Sequence, residues 1–212
     1  EMCIRDRLMA TSFGIKSLDI PLFGVYGACS TMGESSALAS MLIDGGYAKR
    51  CIALTSSHFA TAEKQFRFPL GYGSQRPLCA TTTVTGSGAL VLCSQKILKE
   101  EKTDCVHITG ITTGKIVDFG IKDSNNMGAA MAPAASDTIK TYLQDTGRKP
   151  SDFDYIVTGD LGIVGSELLI KLLKMDGIDI SANHKDCGAM MFDPESQDTH
   201  SGGSGCGCSA SI

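Results

Sequence analysis

The 212-residue sequence predicts an α/β protein, and two observations support that fold class. An apolar run of strand length at residues 22–26 is followed by a helix-like stretch and by a second strand-like run at 51–58. Strand, helix and strand in so short a space predict a βαβ unit with a parallel strand pair. Residues 154–158 then begin a second strand, glycine turn and helix, which indicates a faint internal duplication.

Cys29 stands where the first predicted strand meets the predicted helix at 32–44. Ser30 or Thr31 can cap this helix, which is apolar on most faces and is therefore expected to be buried. The positive end of a helix favours a thiolate and lowers its pKa. Cys29 is thus suited to act as a covalent nucleophile, and its position suits the floor of an anion pocket equally well.

The remaining elements follow from local patterns. Residues 86–88 (Gly-Ser-Gly) predict a tight turn between two strands. Pro133 is expected to be tolerated only near the start of its helix. The other predicted elements are the end of a helix at 8–17, strands at 82–85 and 89–94, a β-rich stretch at 106–117, and helices at 127–146 and 165–175.

Composition excludes several classes of function. The chain is 42% hydrophobic and 20% charged, as in an ordinary globular protein, and its net charge of −4 without a basic cluster argues against nucleic acid as a partner. The sequence shows neither an apolar run of membrane-spanning length nor a signal-peptide core. The nine cysteines are therefore expected to be reduced thiols rather than a disulfide framework.

The two ends of the chain do not fit the pattern between them. Residues 1–7 do not join the elements that follow and are interpreted as a non-matching leader. The first clear element is already a buried strand, and the closing glycine-rich stretch at 198–212 stops in mid-element. The sequence therefore predicts a fold truncated at both ends.

Several longer motifs carry a family resemblance. They are GVYGACSTMGES, TSSHFATAEKQFRFPLGYG, NNMGAAMAPAASDT, IVTGDLG and GGSGCGCSA. Together they resemble the thiolase-like fold of condensing enzymes and, within it, the stage V sporulation protein AD family. The resemblance covers residues 8–212. It implies two similar halves layered α-β-α-β-α, with 8–117 in the N-terminal half and 118–212 in the C-terminal half.

The resemblance also implies which residues surround Cys29. Condensing enzymes of this fold pair the cysteine with two histidines, or with a histidine and an asparagine, from turns in the second half. Here Gly159 or Asp160 takes the histidine place and Ser204 the asparagine place, so that the usual general base and oxyanion donor are missing. This implies a retained pocket whose chemistry has been lost. A buried small residue is the alternative interpretation of Cys29.

The irregular segment at 66–77 is the second candidate for ligand binding. The resembled family belongs to the spore system that handles dipicolinic acid, a flat pyridine ring with two carboxylates. Such a ligand needs an aromatic or guanidinium face together with anion donors. Arg67, Arg76 and Lys64 supply cations here, and Phe66, Phe68 and Tyr72 supply rings. Together with the N–H groups at the start of the helix, at Cys29 and Ser30, they could bind both carboxylates. The alternative is a loop that packs on a second subunit.

Histidines and cysteines elsewhere give weaker signals. His58 closes the second predicted strand, either at the pocket or in a dimer interface, and His107 lies inside a β-rich run. The spacings of the late histidines and cysteines match no common zinc pattern, so no metal site is expected. These residues are His184, Cys187, His200, Cys206 and Cys208.

The resemblance leads to one main functional hypothesis and two alternatives. The main hypothesis is a non-catalytic protein that binds dipicolinic acid, alone or with calcium, for uptake into the developing spore. It would form a homodimer, need no cofactor, and sit peripherally on the inner spore membrane in a complex with membrane subunits. The alternatives are an acyltransferase or condensing enzyme that carries a thioester on Cys29, with His58 or an unidentified residue as base, and a structural scaffold.

Overall fold

The computed structural model describes residues 8–25, 27–60, 76–102 and 104–212, which form a mixed α/β fold. The helices are α1 (Leu8–Ile15), α2 (Thr31–Asp44), α3 (Gln95–Glu101), α4 (Met127–Thr146), α5 (Gly162–Met175), α6 (Cys187–Met190) and α7 (Cys206–Ser211). The strands are β1 (Arg50–Ser57), β2 (Thr82–Thr83), β3 (Gly86–Cys93), β4 (Ile156–Thr158), β5 (His184–Asp186) and β6 (Gly203–Ser204). Short 3₁₀ helices lie at Lys16–Leu18, Ala28–Ser30 and Pro150–Asp152.

Six predicted elements are confirmed to within a few residues. These are the helices at 8–17, 32–44, 127–146 and 165–175 and the strands at 51–58 and 154–158, which correspond to α1, α2, α4, α5, β1 and β4. The Asn126 side chain caps α4 by accepting a hydrogen bond from the Ala129 N–H at 3.1 Å. Pro133 lies beyond the first turn of α4, where it is buried. No helix in the described ranges has both the length and the apolar character needed to cross a bilayer.

The described strands form three two-stranded sheets. β1 and β3 are antiparallel, with Arg50 opposite Cys93 and Ser57 opposite Gly86. β2 pairs in parallel with β6, and β4 pairs in parallel with β5. The two parallel pairs matter most for the site. The β4–β5 pair places the turn after β4 next to Asp186, and the β2–β6 pair places the glycine-rich segment around β6 next to residues from much earlier in the chain.

The predicted hairpin around residues 86–88 is wrong. Those residues lie within β3, and β2 pairs with β6 instead of with β3. The two glycines are there because helix α7 packs directly on the strand. A Cβ on Gly86 would lie 2.8 Å from Ser211 Oγ, and one on Gly88 would lie 2.8 Å from the Ala210 carbonyl oxygen. Glycine here allows close packing of a helix on a strand and does not mark a turn.

The predicted parallel βαβ unit and the β-rich stretch at 106–117 are also wrong. Residues 22–25 and 106–117 form no strand in the part of the chain that the structure describes, and β1 pairs in an antiparallel ladder. Both stretches lie outside regular secondary structure and expose apolar side chains: Phe23 is 75% exposed and Ile116 98%. An apolar pattern becomes a strand only where a neighbouring strand supplies hydrogen bonds, and the described residues offer none beside these two stretches.

The main core lies where α4 packs against α5. Its fully buried members are Ala132, Leu161, Leu169, Leu173 and Ile180. The two helices meet at a pair of glycines, since a Cβ on Gly128 would lie 2.8 Å from the Gly165 Cα. This close contact fixes the start of α5, and therefore the turn between β4 and α5 that contributes to the site.

Candidate functional site

Cys29 lies in the 3₁₀ helix that leads into α2. The residue before it, Ala28, has φ of +49°, a left-handed conformation that non-glycine residues rarely adopt. The Cys206 thiol donates a hydrogen bond to the Ala28 carbonyl oxygen at 3.0 Å. The predicted cap by Ser30 or Thr31 is wrong, because both hydroxyls bond backwards to carbonyls, Ser30 to Gly27 at 2.7 Å and Thr31 to Ala28 at 2.6 Å.

Asp160 contacts Cys29, although the two residues lie far apart in the chain. Asp160 lies in the turn between β4 and α5 and is only 5% exposed. The Cys29 thiol is hydrogen-bonded to the Asp160 carboxyl, and the Gly205 N–H donates to Asp160 Oδ2 at 2.7 Å. Gly159 also approaches this point, since a Cβ there would lie 3.8 Å from the Cys29 carbonyl oxygen. Asp160 is thus the residue of its turn that faces the cysteine.

The electrostatics of the pair keep the thiol protonated. Burial raises the pKa of the Cys29 thiol well above its usual value, and the Asp160 carboxylate raises it further. Burial also raises the pKa of Asp160, against the opposing hydrogen bonds from Cys29 and Gly205. The prediction that the helix end lowers the pKa of Cys29 is therefore wrong. Loss of water around the thiol and a neighbouring carboxylate outweigh the helix dipole.

Ser204 directly precedes Gly205, whose N–H binds Asp160. It is fully buried in β6, opposite Thr83, and its carbonyl oxygen accepts from the Val84 N–H at 2.9 Å. The residue that follows, Gly205, supplies the N–H that binds Asp160. The turn predicted to take the asparagine place therefore reaches the site through its backbone.

The other predicted ligand residues are only partly covered by the structure. His58 follows β1 and is exposed. Arg76 donates from Nη1 to Thr82 Oγ1 at 2.9 Å, and its guanidinium lies over the Phe59 ring, 5.7 Å from the centroid. Among the described groups that act on the Cys29 thiol, neither His58 nor Arg76 appears. The rest of the candidate loop lies outside the described residues: Lys64, Phe66, Arg67, Phe68 and Tyr72.

Sequence reasoning missed Asp186, a carboxylate that is 2% exposed. Its Oδ1 accepts from the N–H groups of Gly162 at 2.8 Å and Ala189 at 3.0 Å. Its Oδ2 accepts from the Leu161 N–H at 3.0 Å and from Thr158 Oγ1 at 2.7 Å. An aspartate directly before a helix is a recognisable N-cap, and that signal in the His-Lys-Asp-Cys-Gly stretch marks it.

Four of the five late histidines and cysteines are buried (His184, Cys187, Cys206 and Cys208), and His200 is half-buried beside Asp198. His184 bonds through Nε2 to Thr158 Oγ1 at 2.9 Å and through Nδ1 to Ser166 Oγ at 3.2 Å. Burial raises the pKa of Cys187 and of Cys208. The eight described cysteines are all free thiols. Within the described ranges, no cluster of three or more His, Cys, Asp or Glu residues is arranged to hold a metal ion.

Comparison with known proteins identifies the family. The family model described as Stage V sporulation protein AD matches residues 4–212. The chain belongs to the stage V sporulation protein AD family. Stage V sporulation protein AD of Bacillus subtilis (strain 168) is 48% identical over 204 residues, which cover 96% of this chain and 58% of that protein. The predicted resemblance is thereby confirmed.

A solved structure confirms the fold of this stage V sporulation protein AD family member. The tetronic acid condensing enzyme AbyA1 superposes with a TM-score of 0.58 at 17% identity, covering 96% of this chain and 64% of that one. The predicted thiolase-like α/β fold is correct, and the chain is a thiolase-like sporulation protein. It spans less than two thirds of the length of either relative. The division into halves at residue 117 stays a prediction.

Proposed function

We propose that this protein is a non-catalytic, thiolase-like binding protein that holds dipicolinic acid, alone or with calcium, for its uptake into the developing spore. The observation that most supports a non-catalytic role is the contact between the Cys29 thiol and the Asp160 carboxyl. In this proposal the protein acts as a homodimer at the inner spore membrane, in a complex with membrane subunits. Its membership of a sporulation family is consistent with that setting.

The surroundings of Cys29 argue against nucleophilic catalysis. A cysteine attacks as its thiolate, and both burial and the Asp160 carboxylate disfavour that form. Nucleophilic thiols are normally activated by a base or a positive charge beside them. The described groups that act on this thiol are Asp160, Cys206 and the Gly205 N–H, and none of them is a histidine.

A dicarboxylate ligand needs the charge of Asp160 to be neutralised. A dianion beside a buried carboxylate is unfavourable unless a proton or a cation lies between them. Burial already raises the pKa of Asp160, so protonation is the simplest solution. Calcium is the alternative, because carboxylate oxygens are its preferred ligands. In either case the arginines of the 66–77 segment would bind the outer carboxylate.

Isothermal titration calorimetry with dipicolinate tests the proposal. We expect saturable binding by the purified protein, weakened in Cys29→Ala and Arg76→Ala, and unchanged in the control Lys171→Ala on the exposed face of α5. Benzoate, which has one carboxylate, serves as the ligand control. Absence of binding at about millimolar dipicolinate, the weak limit of specific binding, would refute the proposed function.

One observation favours acyl transfer as the second candidate. The Gly205 N–H acts on the Cys29 thiol and lowers its pKa, in the manner of an oxyanion donor, although burial outweighs it. Incubation with acyl-CoA followed by intact-mass measurement distinguishes the two functions. A stable acyl adduct that disappears in Cys29→Ala would support the enzyme, and binding of dipicolinate without an adduct would support the carrier.

A further inference from the structure

We propose that Asp186 is a positioning residue that holds Asp160 against Cys29. The inference rests on the proposed function, in which the Cys29–Asp160 pair forms the floor of the ligand site. It assigns to Asp186 the task of setting the chemical state of that pair without touching the thiol itself.

The hydrogen bonds of Asp186 converge on the turn that contains Asp160. Two of its partners, the N–H groups of Leu161 and Gly162, directly follow Asp160 in the chain. A third, the Thr158 hydroxyl, lies two residues before it. Each carboxylate oxygen therefore accepts two hydrogen bonds, and three of the four fix the backbone on both sides of Asp160.

The fourth hydrogen bond fixes the start of helix α6, which packs against Asp160. Asp186 accepts it from the Ala189 N–H and so caps helix α6. The first turn of α6 lies against the site, since a Cβ on Gly188 would be 3.1 Å from the Asp160 Cα and 2.4 Å from the Gly203 carbonyl oxygen. Capping alone would need only this one bond. The other three are explained by the need to fix the turn.

Asp186→Asn is the most informative substitution because it keeps the shape of the side chain. An amide nitrogen in place of Oδ2 would face the Leu161 N–H, donor against donor. We expect the turn to loosen and Asp160 to move away from the thiol. Since the Asp160 carboxylate is one of the causes that raise the pKa of Cys29, that pKa should fall.

The measurement is the pH profile of Cys29 alkylation by iodoacetamide, quantified by peptide mass spectrometry on the purified protein. The readout is the midpoint of the profile, because easier access alone would raise the rate equally at every pH. For each unit by which the midpoint falls, the rate below it should increase by about tenfold. The control Ile97→Ala truncates a buried side chain of α3, a helix that contributes no residue to the turn, and should leave the midpoint unchanged.

A double variant tests whether Asp186 acts through Asp160. Asp160→Asn should lower the midpoint by itself, and adding Asp186→Asn should lower it no further. An unchanged midpoint in the single Asp186→Asn variant would overturn the inference. An equal further shift in the double variant would overturn it as well, since Asp186 would then act independently of Asp160.

A gentler substitution covers the case in which Asp186→Asn does not fold. Thr158→Val removes one of the four donors while keeping the shape of the side chain, and it should give a smaller shift in the same direction. An unshifted midpoint in a folded Thr158→Val variant would count against the inference. None of these measurements uses dipicolinate, so a failure of positioning is distinguishable from a failure of the proposed ligand.

Discussion

The Ser57 hydroxyl accepts a hydrogen bond from the Gly207 N–H at 2.6 Å, although 150 positions separate the two residues in the chain. The same hydroxyl donates to the Val84 carbonyl oxygen at 2.5 Å. One buried side chain thus joins the end of β1, the segment after β2 and the start of α7. A Cβ on Gly207 would lie 2.7 Å from Ser57 Oγ, so the contact also requires glycine. Ser57 holds in place the segment that contains Gly205.

Ser57→Ala is expected to lower the free energy of unfolding by about 1–3 kcal/mol, because it leaves a buried N–H and a buried carbonyl without their partner. Denaturant unfolding measures the change. Thr55→Val is the matched control: Thr55 is buried in the same strand, and its hydroxyl has no hydrogen-bond partner among the described residues. That substitution should be neutral or stabilising. Equal destabilisation by both variants would contradict the role given to Ser57.

Gly162→Ala is expected to destabilise the fold far more than Gly147→Ala. The two glycines have nearly the same φ, +67° and +66°, so both substitutions incur similar left-handed strain of about 1–2 kcal/mol. At Gly147 the added methyl meets nothing within 4 Å, whereas at Gly162 it would lie 2.3 Å from the Ser201 carbonyl oxygen. The difference between the two changes in free energy of unfolding measures the cost of the clash with the Ser201 carbonyl oxygen. A difference near zero would mean that the turn relaxes freely.

His184 should make the fold less stable in mild acid. Burial lowers the pKa of His184, and the nearby Asp186 only partly opposes this. The unfolded chain therefore takes up a proton near its usual pKa of about 6.5 while the folded protein resists it, so the free energy of unfolding falls as the pH drops through that value. The raised pKa of Asp160 acts in the opposite sense, because the folded protein then binds that proton more readily than the unfolded chain.

Comparison with His184→Gln separates the histidine from other titrating groups. Denaturant unfolding of both proteins at about pH 7.5 and about pH 5.5, on either side of the usual histidine pKa, should show a smaller loss of stability in the variant. An identical loss in both proteins would show that His184 does not contribute. Far-ultraviolet circular dichroism at each pH checks that both start folded.

Binding of dipicolinate should strengthen as the pH is lowered. An anionic ligand near Asp160 favours the protonated carboxyl, so binding takes up a proton and the affinity rises by at most about tenfold per pH unit. Calorimetry in two buffers of different ionisation enthalpy counts the protons. Asp160→Asn should abolish the uptake and the pH dependence. Proton uptake that persists in the variant would show that another group takes up the proton. Binding that requires calcium would indicate that the cation, rather than a proton, neutralises Asp160.

Local patterns were sufficient to predict β1, α4 and α5, because periodicity and the Asn126 cap act over a few residues. The strand pairing was not predictable from them. Gly86 and Gly88 have the composition of a turn, and only the packing of α7 on β3 explains them. Residues 22–25 of the apolar run have no strand partner among the described residues, so the pattern alone did not produce a strand.

The site was predicted in part. Cys29 and Asp160 were both identified, Asp160 by a resemblance between turns rather than by any local signal. The direction of the pKa shift of Cys29 was mispredicted because the helix end is visible in the sequence, whereas burial depends on tertiary structure. Asp186 was missed for a similar reason. Its cap signal is local, but its bonds to Leu161 and Gly162 depend on the parallel pairing of β4 and β5.

The groups around the Cys29 thiol belong to residues 160, 205 and 206, so the environment of the thiol forms late during synthesis and folding. Closing chain segments of this length is slow compared with forming local helices. Until Gly205 and Cys206 have been synthesised, this environment is incomplete. Protection of the Cys29 sulfur against alkylation is therefore expected to report when these long-range contacts have formed.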